Sequence, residues 1–456
     1  MRVAFLTLGC KVNQYDTQAM AELFARQGWT VVDGEQRADV VVVNTCAVTG
    51  EGGRKSRRAI RRAVRQARPG TMVLVTGCLA QLESEQLAAI PGVRAVVGPD
   101  RRRRLVEIAM ERSGRVAGDG PSPEVDVALE PRRGRRSWEE LPVRSFVERS
   151  RAVVKVQDGC DEMCAFCVVP YVRGRSRSRP PEAVIDEVRT LAAAGYQEIV
   201  VSGIHLGAYG ADGWDLTRLL EAIEEVPGSF RVRLSSLLPG SLTESLVRRW
   251  GDSRRLCPHL HLSLQSGDDE ILERMGRRYR MAEVEERVEA LRSSRPDLAV
   301  SADVIVGFPG ESDRAAEATV EALRRLGVAR VHAFPYSARP LTRAARLDGR
   351  VPPEVVRRRM QRVRAVAAEL AVRYHRSLVG REVDVLVERS PSATIWAEGV
   401  DEHYVRVRLA GMAGNGVRPG RVVRAQVLEA GRMRVLASPV EPPPEGRNPQ
   451  GNVEPA

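Results

Sequence analysis

Apolar positions in the first hundred residues come in unbroken runs rather than alternating with polar ones. Val3–Leu8 (VAFLTL), Val40–Val43 (VVVV) and Met72–Val75 (MVLV) are such runs, and a shorter one covers 93–97. A strand with no polar face is buried on both sides, the condition of a parallel sheet covered by helices. Helical spacing fills the gaps. Asp16 is placed to cap a helix carrying Met20, Leu23 and Phe24, with Gly28 ending it. A basic helix from about Lys55 to Ala67 turns Ile60, Ala63, Val64 and Ala67 inward. The pattern lapses from about 101 to 145, where RRRR, GDGPSPE and PRRGRRSWEE read as a polar linker.

A second alternating block follows, with strands expected at 152–156, 197–202, 231–236, 259–264, 299–306 and 329–334. Helices fit between them, for example Pro181 to Ala194, where the proline suits a first helical turn. Six such units in this length fit a partial parallel barrel better than an open sheet. After a charged helix from Pro353 to Arg376, residues 380–438 break into short strands divided by Gly and Pro, a pattern for a small antiparallel barrel. The tail from Pro439, EPPPEGRNPQGNVEPA, is expected to be disordered. The fold class is therefore α/β: a doubly wound parallel sheet with its linker (1–145), a partial (β/α)6 barrel (146–376), a small β-barrel (377–438) and a tail (439–456).

No apolar run approaches the roughly 18 residues that cross a bilayer, and MRVAFLTLGCKVNQ lacks the features of a signal peptide. No membrane partner and a cytoplasmic location are expected. The net charge is +12, nearly all from arginine, since Lys11, Lys55 and Lys155 are the only lysines. Guanidinium excess favours a phosphate-bearing partner, although an Arg-for-Lys bias makes the total charge weak evidence. The 7 cysteines argue for metal ligation or reactive thiols rather than a disulfide framework.

Their positions carry more. Cys160, Cys164 and Cys167 follow the first strand of the second block in a C-x₃-C-x₂-C loop. Zinc sites usually take two separated C-x-x-C pairs. Three close thiolates instead suit three irons of a cubane cluster, with the fourth iron open to a substrate or cofactor. Strand carboxyl ends are where α/β folds do chemistry. This motif in this place resembles the radical S-adenosylmethionine (SAM) enzymes. The resemblance implies a 4Fe-4S cluster whose open iron chelates SAM, with one-electron cleavage to a 5′-deoxyadenosyl radical. It also implies cofactor contacts at Ser202 and Gly203 after the second strand, Gln265 after the fourth and Asp303 on the fifth.

Cys10, Cys46 and Cys78 each finish a strand of the first sheet. Carboxyl ends of neighbouring parallel strands share one edge, so the three thiols are expected to converge on rigid posts. Over residues 1–438 the order of parts resembles the methylthiotransferases: a cluster domain, a radical-SAM domain and an RNA-binding barrel of the TRAM type. That family converts a C–H bond to C–S–CH₃. One SAM supplies the methyl group and another the radical, and a second three-thiolate 4Fe-4S cluster presents the sulfur. A sulfur source and an electron donor are implied partners. Cys257 reads as a structural thiol, and His259 and His261 as core or pocket wall with no third ligand apparent.

Three stretches, TLGCKVNQYDT (7–17), GIHLGAYG (203–210) and HAFPYSARP (332–340), look like the type acting on N6-threonylcarbamoyladenosine at tRNA position 37. The resemblance thus implies methylthiolation of C2 of that base. Other types act on N6-isopentenyladenosine or on a ribosomal-protein aspartate, and a non-enzymatic alternative is an iron–sulfur RNA-binding or redox-sensing protein. Arg173, Arg175, Arg177 and Arg179 follow the cysteine loop and are expected to hold RNA phosphates, with Arg406, Arg408 and Arg424 as a second grip. The substrate's carboxylate suits a bidentate arginine. The chain departs from its relatives at Leu237-Leu238-Pro239, where they commonly read Ile-Glu-Pro, and at Pro340-Leu341-Thr342, where they read Pro-Gly-Thr.

Overall fold

The computed structural model describes residues 1–34, 37–113, 125–131, 137–141, 143–146, 150–390, 396–410 and 418–440. Most of the expected disordered tail (441–456) and the GDGPSPE stretch lie outside the described residues.

The chain begins with β1 (Arg2–Thr7), α1 (Lys11–Arg26), β2 (Thr30–Val31), β3 (Val40–Thr45), α2 (Gly50–Gln66), β4 (Met72–Gly77), α3 (Cys78–Leu82), α4 (Ser84–Ala88), β5 (Val93–Val97), α5 (Arg102–Ser113) and β6 (Asp126–Ala128). The strands form one all-parallel sheet in the order β2-β1-β3-β4-β5-β6. The valine run in β3 shows why it is doubly covered. Val40 and Val42 pack with Met20, Phe24, Leu105 and Ile108 from α1 and α5. Val41 and Val43 pack with Ile60, Ala63 and Leu79 from α2 and α3. Each valine so buried contributes roughly 1.5–3 kcal/mol relative to exposure.

Two expectations need correction here. Asp16 does not cap α1, because the helix starts at Lys11 and places Asp16 in its second turn, buried. Its carboxylate meets Arg102, Lys155 and Arg173. The supposed linker contains α5, whose Leu105, Ile108 and Ala109 are buried. Of its opening arginines Arg102 is turned inward, neutralised by Asp16 and Glu139, while Arg103 stays exposed.

The central block comprises β7 (Ala152–Asp158), α6 (Val169–Arg173), β8 (Arg177–Ser178), α7 (Pro181–Ala193), β9 (Glu198–Gly203), a hairpin of β10 (Gly210–Ala211) and β11 (Trp214–Asp215), α8 (Leu216–Glu224), β12 (Arg231–Leu234), α9 (Glu244–Asp252), β13 (His259–Gln265), α10 (Asp269–Met275), α11 (Met281–Ser294), β14 (Ala299–Val306), α12 (Asp313–Arg325), β15 (Arg330–Pro335) and α13 (Pro353–Leu378). Strands β7, β9 and β12 pair in parallel, as do β13, β14 and β15. Single bridges, Val232 to Leu256 and Leu237 to Leu262, join the two halves into an open six-strand wall. The short β8 adds antiparallel to β7. Helix α13 packs along β15 and carries the chain onward.

The last part is a closed barrel of β16 (Glu382–Arg389), β17 (Ala397–Val400), β18 (Arg406–Leu409), β20 (Val435–Pro439) and β19 (Val422–Ala430), in that order. It is not wholly antiparallel, since β18 and β20 pair in parallel. The loop before β18 holds it to the central barrel. Arg233 donates to the carbonyls of Asp401 and Glu402, and Arg231 to those of Asp384 and Val400. Tyr404 lies with its ring centroid 4.8 Å from the Arg233 guanidinium and 5.4 Å from Lys11 Nζ.

Candidate active site

Strand β7 ends at Asp158, and Gly159 takes a left-handed turn at φ 71. A β-carbon there would stand 2.0 Å from the Arg175 carbonyl oxygen, so the turn requires glycine. Cys160 then donates its N–H to Gly174 O at 3.1 Å, and Cys167 N–H reaches Cys164 O at 3.0 Å. These bonds fold the three thiols into one loop, in which each lies within the field of another. Burial pushes the Cys160 thiol up to about 11 and the Cys167 thiol up to about 12, and it also raises Cys164. Such thiols ionise near neutral pH only when a cation replaces the proton, as a metal does. A cavity of about 430 Å³ opens beside them, lined among others by Glu162, Cys164, Arg277 and Arg343. His205 Nδ1 lies 3.9 Å from Cys160 Sγ.

The other trio stands on three strands adjacent in the sheet, β1, β3 and β4. Gly9, at φ 108, brings the β1 turn against Cys46; a β-carbon on it would lie 3.1 Å from Cys46 Cβ and 3.3 Å from its Sγ. Cys78 opens α3 behind Gly77 and is buried. Burial pushes its thiol up to about 12, against the pull of the Arg173 charge. Cys10 is exposed and Cys46 partly so, which leaves this edge open. All seven cysteines are free thiols.

Arg173 ties the two trios together. It ends α6, just past Cys167, and is fully buried. Its Nε donates to Cys78 Sγ at 3.3 Å, Nη1 meets both Asp158 oxygens at 3.1 and 3.0 Å, and Nη2 reaches Asn13 Oδ1 at 2.6 Å and Asp16 at 3.2 Å. The expected role of this arginine run in holding phosphates is corrected accordingly. Arg173 serves the interior. Arg179 is buried between Glu140 and Glu187, and Arg177 is 10% exposed against Asp100 and Asp158. Arg175 alone of the four is exposed, paired with Asp161 at 3.1 Å. The acids that consume the other three belong to other elements, so the run read as free to hold phosphates. On the terminal barrel Arg408 and Arg424 pair with Glu398 and Glu382, and Arg406 is exposed.

Of the residues expected to touch SAM, Ser202 is buried on β9. Gly203 packs so close to Gln157 that a β-carbon would lie 2.9 Å from that side chain. Gln157 in turn accepts His205 N–H at 2.7 Å and donates to Gly159 O at 2.8 Å, fixing the turn after β9 to the cysteine loop. Gln265 sits at φ 73 at the end of β13. Asp303 is not a free turn residue: its Oδ1 is 3.0 Å from His261 Nε2 and 3.3 Å from His332 Nδ1. Burial works against its ionisation, but those two hydrogen bonds prevail and hold it at about 2. The barrel wall thus supplies His261 with the neighbours that sequence spacing did not, while His259 faces Ser301 at 2.9 Å. His205, Arg277, His332 and Arg339 were passed over by the sequence reading. His332 lies on β15, while His205 and Arg339 lie in the segments after β9 and β15, and only the tertiary fold brings them to the site.

Residues 2–98 match the family described as "Uncharacterized protein family UPF0004", and residues 154–323 match the radical SAM superfamily. The backbone resembles that of a radical SAM methyltransferase, TsrM from Kitasatospora setae, with a TM-score of 0.56 at 18% identity over 75% of this chain and 76% of that one. Fold and cysteine loop define a radical-SAM protein. The chain is 38% identical over 436 residues to the threonylcarbamoyladenosine tRNA methylthiotransferase MtaB of Bacillus subtilis (strain 168), covering 94% of each. It is 35% identical over 430 residues to a tRNA-2-methylthio-N(6)-dimethylallyladenosine synthase of Cereibacter sphaeroides, covering 93% of this chain and 95% of that one. The chain belongs to the radical-SAM methylthiotransferase family.

Proposed function

We propose that this protein is a tRNA (N6-L-threonylcarbamoyladenosine(37)-C2)-methylthiotransferase. The observation that carries the reading is the pair of three-thiol sites at adjoining strand ends, joined through Arg173. Two three-thiol sites with nearby guanidinium groups suit two anionic clusters, and no arrangement of four thiols offers itself among the described residues. Cys160, Cys164 and Cys167 would hold one 4Fe-4S cluster, and Cys10, Cys46 and Cys78 the other. When bound, these groups and SAM supply radical C–H activation and the sulfur to be inserted.

The chain's own residues then have separable tasks. Gln157 fixes the turns that bear Cys160 and His205. Arg173 donates to Cys78 and locks Asp158, two residues ahead of Cys160. Arg277 offers positive charge to the Cys160–Cys167 loop. The cavity beside Cys164 is polar and basic on one wall, which suits SAM or a nucleotide. Similarity favours the threonylcarbamoyl substrate, and the exposed Arg175 and Arg406 are suited to RNA phosphates. A sulfur source and an electron donor would be needed as partners. No described helix is long and apolar enough to cross a membrane, in keeping with a cytoplasmic tRNA-modifying enzyme.

Nucleosides from a deletion strain test this. The 2-methylthio form should vanish while threonylcarbamoyladenosine remains; an unchanged nucleoside profile refutes the substrate. Anaerobic reconstitution should load about eight irons and yield 5′-deoxyadenosine under reductant. Intact clusters without SAM cleavage would favour a sensor instead.

A further inference from the structure

Arg339 lies in the segment after β15 and is 6% exposed. Its Nε and Nη2 have no hydrogen-bond partner among the described residues. These two N–H groups share one edge of the planar guanidinium, the fork that grips both oxygens of a carboxylate. A buried guanidinium with two idle donors is unfavourable until an anion meets them.

The surface it faces is the first turn of α2. A β-carbon on Gly53 would stand 3.8 Å from Arg339 Nη2, and one on Gly50 3.9 Å from Nη1. A β-carbon on Gly52 would stand 3.3 Å from Cys46 Sγ, so three glycines keep this niche clear beside a predicted cluster ligand. The helix has 17 residues, enough for its N-terminal N–H groups to present positive partial charge. The Thr49 and Ser337 hydroxyls occupy the Gly52 and Gly50 N–H groups at 3.0 Å each, so the guanidinium edge is the niche's open donor pair. The nearby charges, Glu83 and Arg57, are paired with each other at 2.7 Å.

We propose that Arg339, at the first turn of α2, binds the carboxylate of the substrate's threonylcarbamoyl group and so seats the modified base beside Cys46. The inference rests on the substrate reading above. SAM also carries a carboxylate, and the experiment separates the two sources.

The test uses the reconstituted full chain with anticodon stem-loops bearing threonylcarbamoyladenosine, its methyl ester or plain adenosine at position 37. Binding is read by fluorescence anisotropy and SAM binding by equilibrium dialysis, for wild type, Arg339→Gln and Arg339→Lys, with iron content as the folding check. Wild type should prefer the free acid over adenosine by about 10- to 100-fold. Arg339→Gln should erase that preference without changing affinity for the adenosine loop or SAM, and Arg339→Lys should keep part of it. The ester in wild type should mimic Arg339→Gln, which tests recognition of the carboxylate itself, while Arg339→Lys keeps the assignment testable if Arg339→Gln loads no iron. Retained preference in Arg339→Gln, full binding of the ester, or lost SAM binding each overturn the assignment. A wild type indifferent to the modification overturns the substrate reading itself.

Discussion

Replacing Glu198 with Gln keeps its shape and removes one buried charge. The carboxylate is fully buried on β9 and accepts from Arg233 at 2.8 and 3.0 Å and from Arg231 at 2.7 Å, with Arg151 at 3.3 Å. Burial alone would raise its pKa, but the three guanidinium groups outweigh that and hold it well below the usual range. Arg231 and Arg233 point their remaining donors at carbonyls of the terminal barrel, so Glu198 orients the clamp between the two barrels. Losing one partner of a buried pair costs about 3–5 kcal/mol. Arg151 and Arg231 are 13% exposed and can recruit some water, which favours the lower end. About 3 kcal/mol corresponds to amides of β17 and β18 exchanging on the order of 100-fold faster, if they exchange by undocking. Hydrogen exchange with mass spectrometry measures this. Exchange within about threefold of wild type would refute the clamp.

Leu341 holds φ at 71, a conformation that favours glycine, and is 39% exposed; Leu341→Gly should stabilise by about 0.5–1 kcal/mol in a thermal melt. His403 is opposed by burial, yet Asp297 at 3.5 Å and Asp401 at 3.6 Å hold its pKa at about 9. Because that lies above the unfolded value near 6.5, its stabilisation of about 3 kcal/mol is complete below that pH and fades as pH rises through about 9. A denaturation series from pH 6 to beyond 9 should show the decline, and His403→Gln should flatten it. Cys78→Ala should reduce the iron load from about eight to about four per chain and spare 5′-deoxyadenosine formation; loss of SAM cleavage would show that the two sites are not separable in function. Arg173→Gln should lower the reduction potential of the N-terminal site in EPR-monitored titration, since it removes an N–H donated to Cys78; an unchanged potential would leave Arg173 a purely structural bridge.

The strands were legible because burial on both faces leaves an apolar run that no other element needs. The cysteines were legible because each trio obeys a simple rule of place. What failed were judgements about charge. Arg102 looked like part of a polar linker, and Arg173 and Arg179 looked free to meet RNA phosphates, since their partners Asp16, Asp158 and Glu187 belong to other elements; Asp16 looked like a cap since its three cations were out of view. The α5 helix was missed for the same reason: its opening arginines read as polar although Arg102 is interior. The parallel β18–β20 pair depends on barrel closure, which leaves no local mark.

Arg173 has a consequence for how such a chain could change over time. Its guanidinium completes the wall around a cysteine that belongs to the preceding half, while Asn13 and Asp16 from that half complete its own surroundings. Neither half is a self-sufficient module, so a graft that exchanged one alone would strand a charge in the seam. A functional chimera would have to move that arginine and its acceptors as a set.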